Sequence, residues 1–284
     1  APPGAGNDPG PEDAEADPAR RLHGGAILIA RRLGITGPVT TIATACAASA
    51  GAIGRAADLL RSGGVDAVLA GGADAFSVSV LAGFDRLRTT SPQPCAPFSL
   101  PAGLTLGEGA GFWVLEHESA ARARRAPLHG FVLGHGLSND AHHPTAPDPT
   151  GAGIRRSIAA ALADAGIRAA DLGHVSAHGS GTQANDRTEC RAIERAFEDA
   201  PPPISSTKAA LGHALGAAGI LEATAALLSM NAGFVPPTLR FDTPRPGVDI
   251  DPVPNAPRDR VYDLALSNSF GFAGNNASVL LRAA

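Results

Sequence analysis

Residues 39–45, VTTIATA, form a run rich in β-branched side chains that ends at Cys46, and a stretch dominated by alanine and glycine follows at once. No other feature constrains the fold as much as this join. The first segment has the composition of a buried strand. Residues 46–62 read as a helix whose small side chains let other backbone lie close. A strand feeding directly into a helix belongs to stacked α/β layers. The alternation continues along the chain. A parallel strand is expected at 66–71, further strands at 111–116, 130–136, 173–177, 262–267 and 277–282, and helices at 22–33, 151–165, 186–197 and 214–231. Gly34 and Gly37-Pro38 stop the first helix. The expected fold class is therefore α/β.

Composition narrows the function classes. A chain of 284 residues, 44% hydrophobic and 18% charged, can bury a full core. A net charge of −4 argues against a nucleic-acid binder. The apolar runs fall far short of the roughly 20 residues of a membrane span, and no signal peptide opens the chain. Cys46, Cys95 and Cys190 are odd in number and lack metal-ligand spacing, which favours a reducing cytoplasm over a disulfide framework. Residues 1–21 are rich in proline and acidic residues and poor in large apolar ones, so a disordered tail is expected.

Lys208 is the only lysine among the 23 Lys and Arg residues. A single lysine can survive by chance, but its setting is unusual. It lies in SSTKAALGHALGAAG, five residues before His213. An ammonium is a compact point charge where a guanidinium is a wide fork, so the two are not interchangeable.

Cys46 sits where a strand-to-helix turn pushes one side chain out over the sheet edge. The amides of the first helical turn would lower its thiol pKa and donate to an oxyanion. The alternative is a buried structural cysteine, which suits Cys95 and Cys190 better. His178 stands in HGSGTQAND at a strand end, with Ser180 and Thr182 lining the approach; the plain alternative is an exposed turn histidine. His213 precedes a helix with Gly216 and Gly219 on its inner side, where a capping or core histidine is the plain reading. His135, His142 and His143 lack a complete metal-ligand spacing. They read as loop residues, with His143 the one most apt to face a pocket.

The segments TACAAS, AHGSGT, SSTKAALGHALGAAG and NSFGFAGNN, in this order, with GGVDAVLAGGAD and LGEGAGFWVLE, resemble the β-ketoacyl-acyl-carrier-protein synthases. The nearest likeness is to synthase II-like enzymes and to the ketosynthases of polyketide and aryl-polyene pathways, from about Gly24 to the C-terminus. The resemblance implies a thiolase-like layered αβαβα fold. Residues 22–127 would be the remainder of an N-terminal half with the nucleophile, and 128–284 a C-terminal half with both histidines. It implies decarboxylative Claisen condensation of an acyl thioester with malonyl-acyl-carrier protein. Cys46 then corresponds to the acyl-accepting nucleophile, His178 and His213 to the histidine pair, and Lys208 to the lysine beside them. Asp186 and Glu222 correspond to supporting acids. Phe272 corresponds to a gate whose amide joins that of Cys46 in an oxyanion hole, with Phe270, Ser180, Thr182 and His143 in the substrate-binding set.

No metal or organic cofactor is implied. The partners implied are an acyl carrier protein and a second ketosynthase-like chain, in a homodimer or heterodimer. No membrane or nucleic-acid partner is implied. Carbanion chemistry needs such a set: a thiol that holds the acyl group as a good leaving group, and donors that stabilise the enolate left when carbon dioxide departs. A Cys–His hydrolase would need neither the second histidine nor the lysine. A non-catalytic ketosynthase-like partner subunit or truncated remnant stays open as the second reading: the short stretch before Cys46 favours it, and the retained cysteine, histidine pair and lysine favour the active enzyme.

Two departures from the family stand out. The family carries more chain before the nucleophile, so the first half is expected to be incomplete here, leaving a sheet edge for an upstream segment or partner to cover. In the loop CAPFSLPAGL, where relatives carry Arg and Asp, this chain has Ala96, Ser99 and Ala102, which is expected to alter carrier-protein docking. Ala273 stands where relatives favour glycine and is expected to stiffen the Phe272 turn.

Overall fold

A computed structural model describes residues 22–198 and 200–284; the tail expected over residues 1–21 lies outside them. The chain divides into two units, the first ending at Ile42 and the second spanning Ala43–Ala284. The described part of the first holds helix α1 (Gly24–Leu33), closed by Gly34 in the left-handed region at φ 68°. Glycine reaches that conformation without a Cβ penalty, so the helix stops where the sequence placed its stop.

The strand expected over 39–45 is absent. Residues 39–44 have no regular structure and Ala45–Ala47 is a 3-10 turn. β-branched composition favours a pleated, half-buried surface, but a strand also needs a neighbour to bond its N–H and C=O groups. No ladder partner for this stretch occurs among the described residues.

The second unit is built around a five-stranded sheet. Its strands are β3 (Phe131–Asn139), β4 (His174–Ser176), β5 (Ile204–Ser205), β8 (Leu264–Gly271) and β9 (Asn275–Arg282), in the order β3-β9-β8-β4-β5. β3, β9 and β8 are antiparallel, while β8, β4 and β5 run parallel. A two-stranded ribbon pairs β1 (Ala67–Asp74) with β2 (Gly109–Glu116), and a short one pairs β6 (Phe234–Val235) with β7 (Arg258–Asp259). The parallel strand expected at 66–71 is thus antiparallel. Its apolar run marked burial, but direction was set by β2 returning beside it.

Helices α2 (Ala48–Arg61) and α8 (Ala218–Asn231) cover one face of the large sheet, while α5 (Ala152–Ala165) and α6 (Gln183–Ala196) cover the other. Strand alternation divides the two cores. Ala277, Val279 and Leu281 of β9 face α2 and α8, while Leu280 faces α5 and α6. The ribbon lies on the far side of α2 and α8, with Trp113 and Leu115 turned inward and the Trp113 indole donating to Thr224 of α8 at 2.9 Å. Helix α8 is therefore covered on both sides. Its sequence, AGILEATAALLSMN, is apolar all round with Glu222 as its one charge, which is the pattern of a central buried helix. Elements not marked in the sequence are short: α3 (Val78–Arg86), α4 (Glu118–Ala123) and α7 (Lys208–Leu211). None of the helices among the described residues is long and apolar enough to cross a membrane.

Close layers depend on missing side chains. A Cβ on Gly219 of α8 would lie 2.8 Å from the Ala50 amide of α2, and one on Gly136 of β3 would overlap the Ser157 carbonyl of α5. Gly136→Ala is therefore expected to push α5 off the sheet and cost about 1–3 kcal/mol. Gly25→Ala, on open helix surface with nothing within 4 Å, is expected to leave stability unchanged or raise it by up to about 1 kcal/mol. Urea unfolding midpoints of the two variants check the opposite signs.

Candidate active site

Cys46 lies in the 3-10 turn that leads into α2, with its side chain 6% exposed. Ala45, just before it, adopts φ 51°, a left-handed conformation unusual for alanine that turns the chain sharply into the helix. The end of β8 fits against this elbow. A Cβ on Gly271 would stand 2.9 Å from both the Cys46 amide and the Thr44 carbonyl. Only glycine permits that approach, and it brings the backbone of Phe272 alongside the Cys46 amide.

The two histidines arrive from different elements. His178 follows β4, and His213 follows α7, its N–H bonded to Thr105 O at 2.7 Å and its carbonyl accepting from Gly107. His213 Nε2 is 3.1 Å from Cys46 Sγ. The two imidazoles meet edge to face at 5.2 Å, and the Phe270 ring stands 5.8 Å from His178.

Lys208 Nζ lies 3.3 Å from His178 Nδ1, donates to His178 O at 2.6 Å, and is paired with Glu222 of α8. All of these groups are buried. An ammonium has only donors, so it meets a lone pair on Nδ1, and the remaining proton of a neutral His178 sits on Nε2.

Burial dominates the electrostatics. It holds both imidazoles well below their ordinary range, with the Lys208 charge acting in the same direction. It pushes the Cys46 thiol up to about 11, against the downward pull of Lys208. The lowered thiol pKa expected from helix amides is therefore overturned. Desolvation of a thiolate outweighs the partial charges of one helical turn. The resting site holds a neutral thiol beside a neutral imidazole, and Nε2 of His213 is the nearby acceptor for the thiol proton.

Behind the His178 loop lies a layer of carboxylates. Glu189 accepts the His178 and Gly179 amides at 2.8 and 2.7 Å. Asp186 accepts from Phe98 N at 2.7 Å and Gly181 N at 3.1 Å, and pairs with Arg245 at 2.9 Å. Burial pushes the Asp186 carboxyl up, and Arg245 pulls it back. Asp186 thus supports the loop from beneath, while Glu222 acts on Lys208. The sequence reading missed Glu189 and Arg245. Glu189 stands three residues after Asp186 on one helix, so their shared face was open to inference; Arg245 lies in an irregular TPRPG stretch that carried no signal.

A cavity of about 390 Å³ opens onto Cys46, His178 and His213 and runs past Phe270, Phe272, Ser180 and Thr182. The Ser180 and Thr182 hydroxyls are 2.9 Å apart, and Phe272 stacks on Phe84 at 5.3 Å. Ala273, beside Phe272, sits at φ 60°, a position glycine would take with less strain. His143 does not line the cavity. It is exposed, and its Nδ1 accepts the amides of Thr145 and Ala146 in its own loop. The CAPFSLPAGL loop is divided: residues 95–99, with Ala96 and Ser99, are buried against Asp186 and Arg245, while Leu100, Pro101 and Ala102 are exposed and Ala102 lines the cavity.

Residues 23–121 match the β-ketoacyl synthase N-terminal domain and residues 129–242 the C-terminal domain. Nodulation protein E of Rhizobium meliloti is 43% identical over 256 residues, covering 89% of this chain and 63% of that protein. A 3-oxoacyl-[acyl-carrier-protein] synthase 2 of Rhizobium meliloti is 42% identical over 276 residues, covering 93% of this chain and 65% of that one. The chain thus spans less than two thirds of the length of these relatives. Among solved structures, the ishigamide ketosynthase/chain length factor matches with a TM-score of 0.91 and 43% identity, over 94% of this chain and 66% of that one. The ketosynthase ApeO in complex with its chain length factor ApeC, from Xenorhabdus doucetiae, matches with a TM-score of 0.85 and 36% identity, over 93% and 65%.

The buried carboxylates give the stability a pH dependence. Burial pushes Glu189 from its ordinary 4.5 up to about 7 despite its amide partners. Between those values the folded state holds a proton that the unfolded state has lost. Stability therefore falls as pH rises through this window and levels off above it. Glu189→Gln cannot ionise, so the difference in its urea midpoint between about pH 5 and about pH 8 is expected to be smaller than in the unaltered chain.

Proposed function

This chain belongs to the β-ketoacyl synthase family, and from that premise we propose that it catalyses a decarboxylative Claisen condensation. An acyl group held as a thioester on Cys46 joins the malonyl group of malonyl-acyl-carrier protein to give a 3-oxoacyl-acyl-carrier protein, in fatty-acid or polyketide synthesis. The observation that carries this reading is the constellation itself: His213 Nε2 at 3.1 Å from Cys46 Sγ, His178 edge-on to His213, and Lys208 on Nδ1 of His178. A cysteine hydrolase needs one imidazole and no buried ammonium. Residues 22–127 and 128–284 are read as the nucleophile-bearing and histidine-bearing halves of such an enzyme.

In the first half-reaction Cys46 Sγ attacks the thioester carbonyl, and its proton passes to His213 Nε2. The carbonyl oxygen, now negative, meets the backbone amides of Cys46 and Phe272. Collapse expels the carrier's thiolate, which takes the proton from His213, leaving acyl-Cys46. In the second, the malonyl C–C pair stays behind as carbon dioxide leaves, giving an enolate. With Cys46 acylated, His213 no longer faces a thiol; once its single proton moves from Nδ1 to Nε2, its Nε2–H joins that of His178 in facing the enolate oxygen. Neutral imidazoles suit that role, because an imidazolium could protonate the carbanion outright. The enolate carbon then attacks the acyl-Cys46 carbonyl, the new C–C bond forms, and the Cys46 thiolate departs and takes one proton from solvent water.

Phe272, with Phe270 beside it, is read as the gate, and Ser180 and Thr182 as the polar lining for the thioester arm. Asp186 and Glu222 are read as the supporting acids. The partners proposed are an acyl carrier protein and a second ketosynthase-like chain. Two of the similar structures hold a ketosynthase with a chain length factor, which supports the heterodimer form. Three free, buried cysteines suit a reducing compartment such as the cytoplasm.

Mass spectrometry after incubation with acyl-acyl-carrier protein tests the nucleophile. Acyl is expected on Cys46, to be lost in Cys46→Ala and kept in Cys95→Ala and Cys190→Ala; acylation that persists in Cys46→Ala would sink the assignment. His178→Ala is expected to cut malonyl decarboxylation by about 10²–10³-fold while acyl loading falls far less. Equal loss of both half-reactions would point to misfolding instead.

Lys208→Arg is expected to lose condensation at matched folding by circular dichroism. The wider guanidinium cannot occupy the buried space between Glu222 and His178. Full activity in that variant would show the lysine to be dispensable.

A further inference from the structure

The loop that lacks its expected charges is not left without one. Arg245, 67 residues beyond His178, inserts its guanidinium behind the site with only 3% of the residue exposed. One nitrogen, Nη1, donates to Asp186 at 2.9 Å and to Thr182 O at 3.1 Å. The other, Nη2, donates to Gly181 O at 3.0 Å and to Ser99 O. Its own N–H bonds Phe98 O at 3.0 Å. A single side chain thus ties together the 96–99 loop, the Gly181–Thr182 backbone and α6.

These contacts are selective along the His178 loop. Its first part, the His178 and Gly179 amides, is held by Glu189. Its second part, Gly181 and Thr182, is held by Asp186 and Arg245. The second part carries the Ser180 and Thr182 hydroxyls, 2.9 Å apart at the cavity wall. Gly181 sits at φ 84°, and a Cβ there would come 2.6 Å from both Cys95 Sγ and Gly103 O, so this turn is wedged against the 95–103 loop as well. Two paired hydroxyls on a rigid turn can meet the N–H and C=O groups of an amide-bearing thioester arm.

We infer that Arg245 is a positioning residue: it fixes the Gly181–Thr182 backbone, and through it the Ser180 and Thr182 hydroxyls, for the amide groups of the incoming thioester arm. The fork geometry matters, because acceptors in three segments are reached from two nitrogens. A lysine keeps the charge for Asp186 and loses the fork. The inference rests on the reading of Ser180 and Thr182 as the polar lining of the substrate channel. It adds that recognition of the arm is set from behind the loop, separately from the chemistry at Cys46.

The test compares two acyl donors in one sample: an acyl-pantetheine thioester, which carries the amides, and the same acyl group as a phenyl thioester, which does not. Acylation of Cys46 by each is followed by mass spectrometry, and the ratio of the two rates is taken. An exposed cysteine exchanges with a phenyl thioester without any folded site, so the rates are compared at matched folding by circular dichroism, and the rate of urea-unfolded protein with each donor is subtracted. Arg245→Lys and Arg245→Gln are both made, and one folded variant suffices.

The unaltered protein is expected to prefer the pantetheine donor. Either variant is expected to lose that preference by about tenfold, the worth of about one hydrogen bond to the arm, with the phenyl thioester rate little changed. A preference that survives in the variants would overturn the positioning role alone. If the unaltered protein is acylated at equal rates by both donors, the reading of Ser180 and Thr182 fails, and the inference fails with it. If Cys46 takes acyl from neither donor, the proposed function itself is overturned.

Discussion

The buried pair between Lys208 and Glu222 is the interaction on which the rest of the site depends. Helix α8 is apolar on every side because the sheet covers one face and the ribbon the other, yet it carries one carboxylate in its middle. That charge has no access to water and must be answered from within the protein. The ammonium of Lys208 answers it from the start of α7, and in doing so brings α7, α8 and the end of β4 to one point. Such a pair adds little net stability compared with apolar packing, but removing one partner strands the other. Its value here is positional. The same ammonium meets the Nδ1 and carbonyl of His178, so a requirement of the core fixes the orientation of an imidazole at the cavity.

Around that pair the site is made mostly of backbone and small side chains. Gly271 lets the end of β8 lie against the Cys46 elbow, and Gly219 lets α8 lie against α2. Cys46, His178 and His213 are buried, and burial keeps both imidazoles and the thiol neutral. A neutral thiol is a weak nucleophile, which is why the short distance from Cys46 Sγ to His213 Nε2 matters: attack has to be coupled to proton transfer. For the proposed condensation, a neutral histidine pair suits an enolate because it can donate hydrogen bonds without handing over a proton.

The support for this arrangement is layered. Glu189 holds the His178 end of its loop, and Asp186 with Arg245 holds the Ser180–Thr182 end. One carboxylate fixes the residue placed at the chemistry, and an ion pair fixes the residues placed along the channel. The 95–99 loop, whose missing charges suggested an altered docking surface, is packed beneath these groups and receives its guanidinium from a distant part of the chain.

Much of this was legible in the sequence, and the physical reason is locality. Cys46, His178, Lys208 and His213 each stand in a short segment whose glycines and small residues already declare a tight turn or a close approach. The apolar run that closes β9 fits a strand buried on both faces, and the all-apolar run of α8 fits a helix covered on both sides. What the sequence could not decide depends on groups far away in the chain. Residues 39–45 have strand composition but no partner among the described residues, and β1 has a strand's run but takes its direction from β2. The thiol of Cys46 responds to burial rather than to its own helix turn, His143 spends its ring nitrogen on its own loop, and Arg245 acquires meaning only from the acceptors around it. Propensity and turn chemistry are properties of a few adjacent residues; pairing, desolvation and the partner of a buried charge are properties of the packed chain, and only the tertiary structure supplies them.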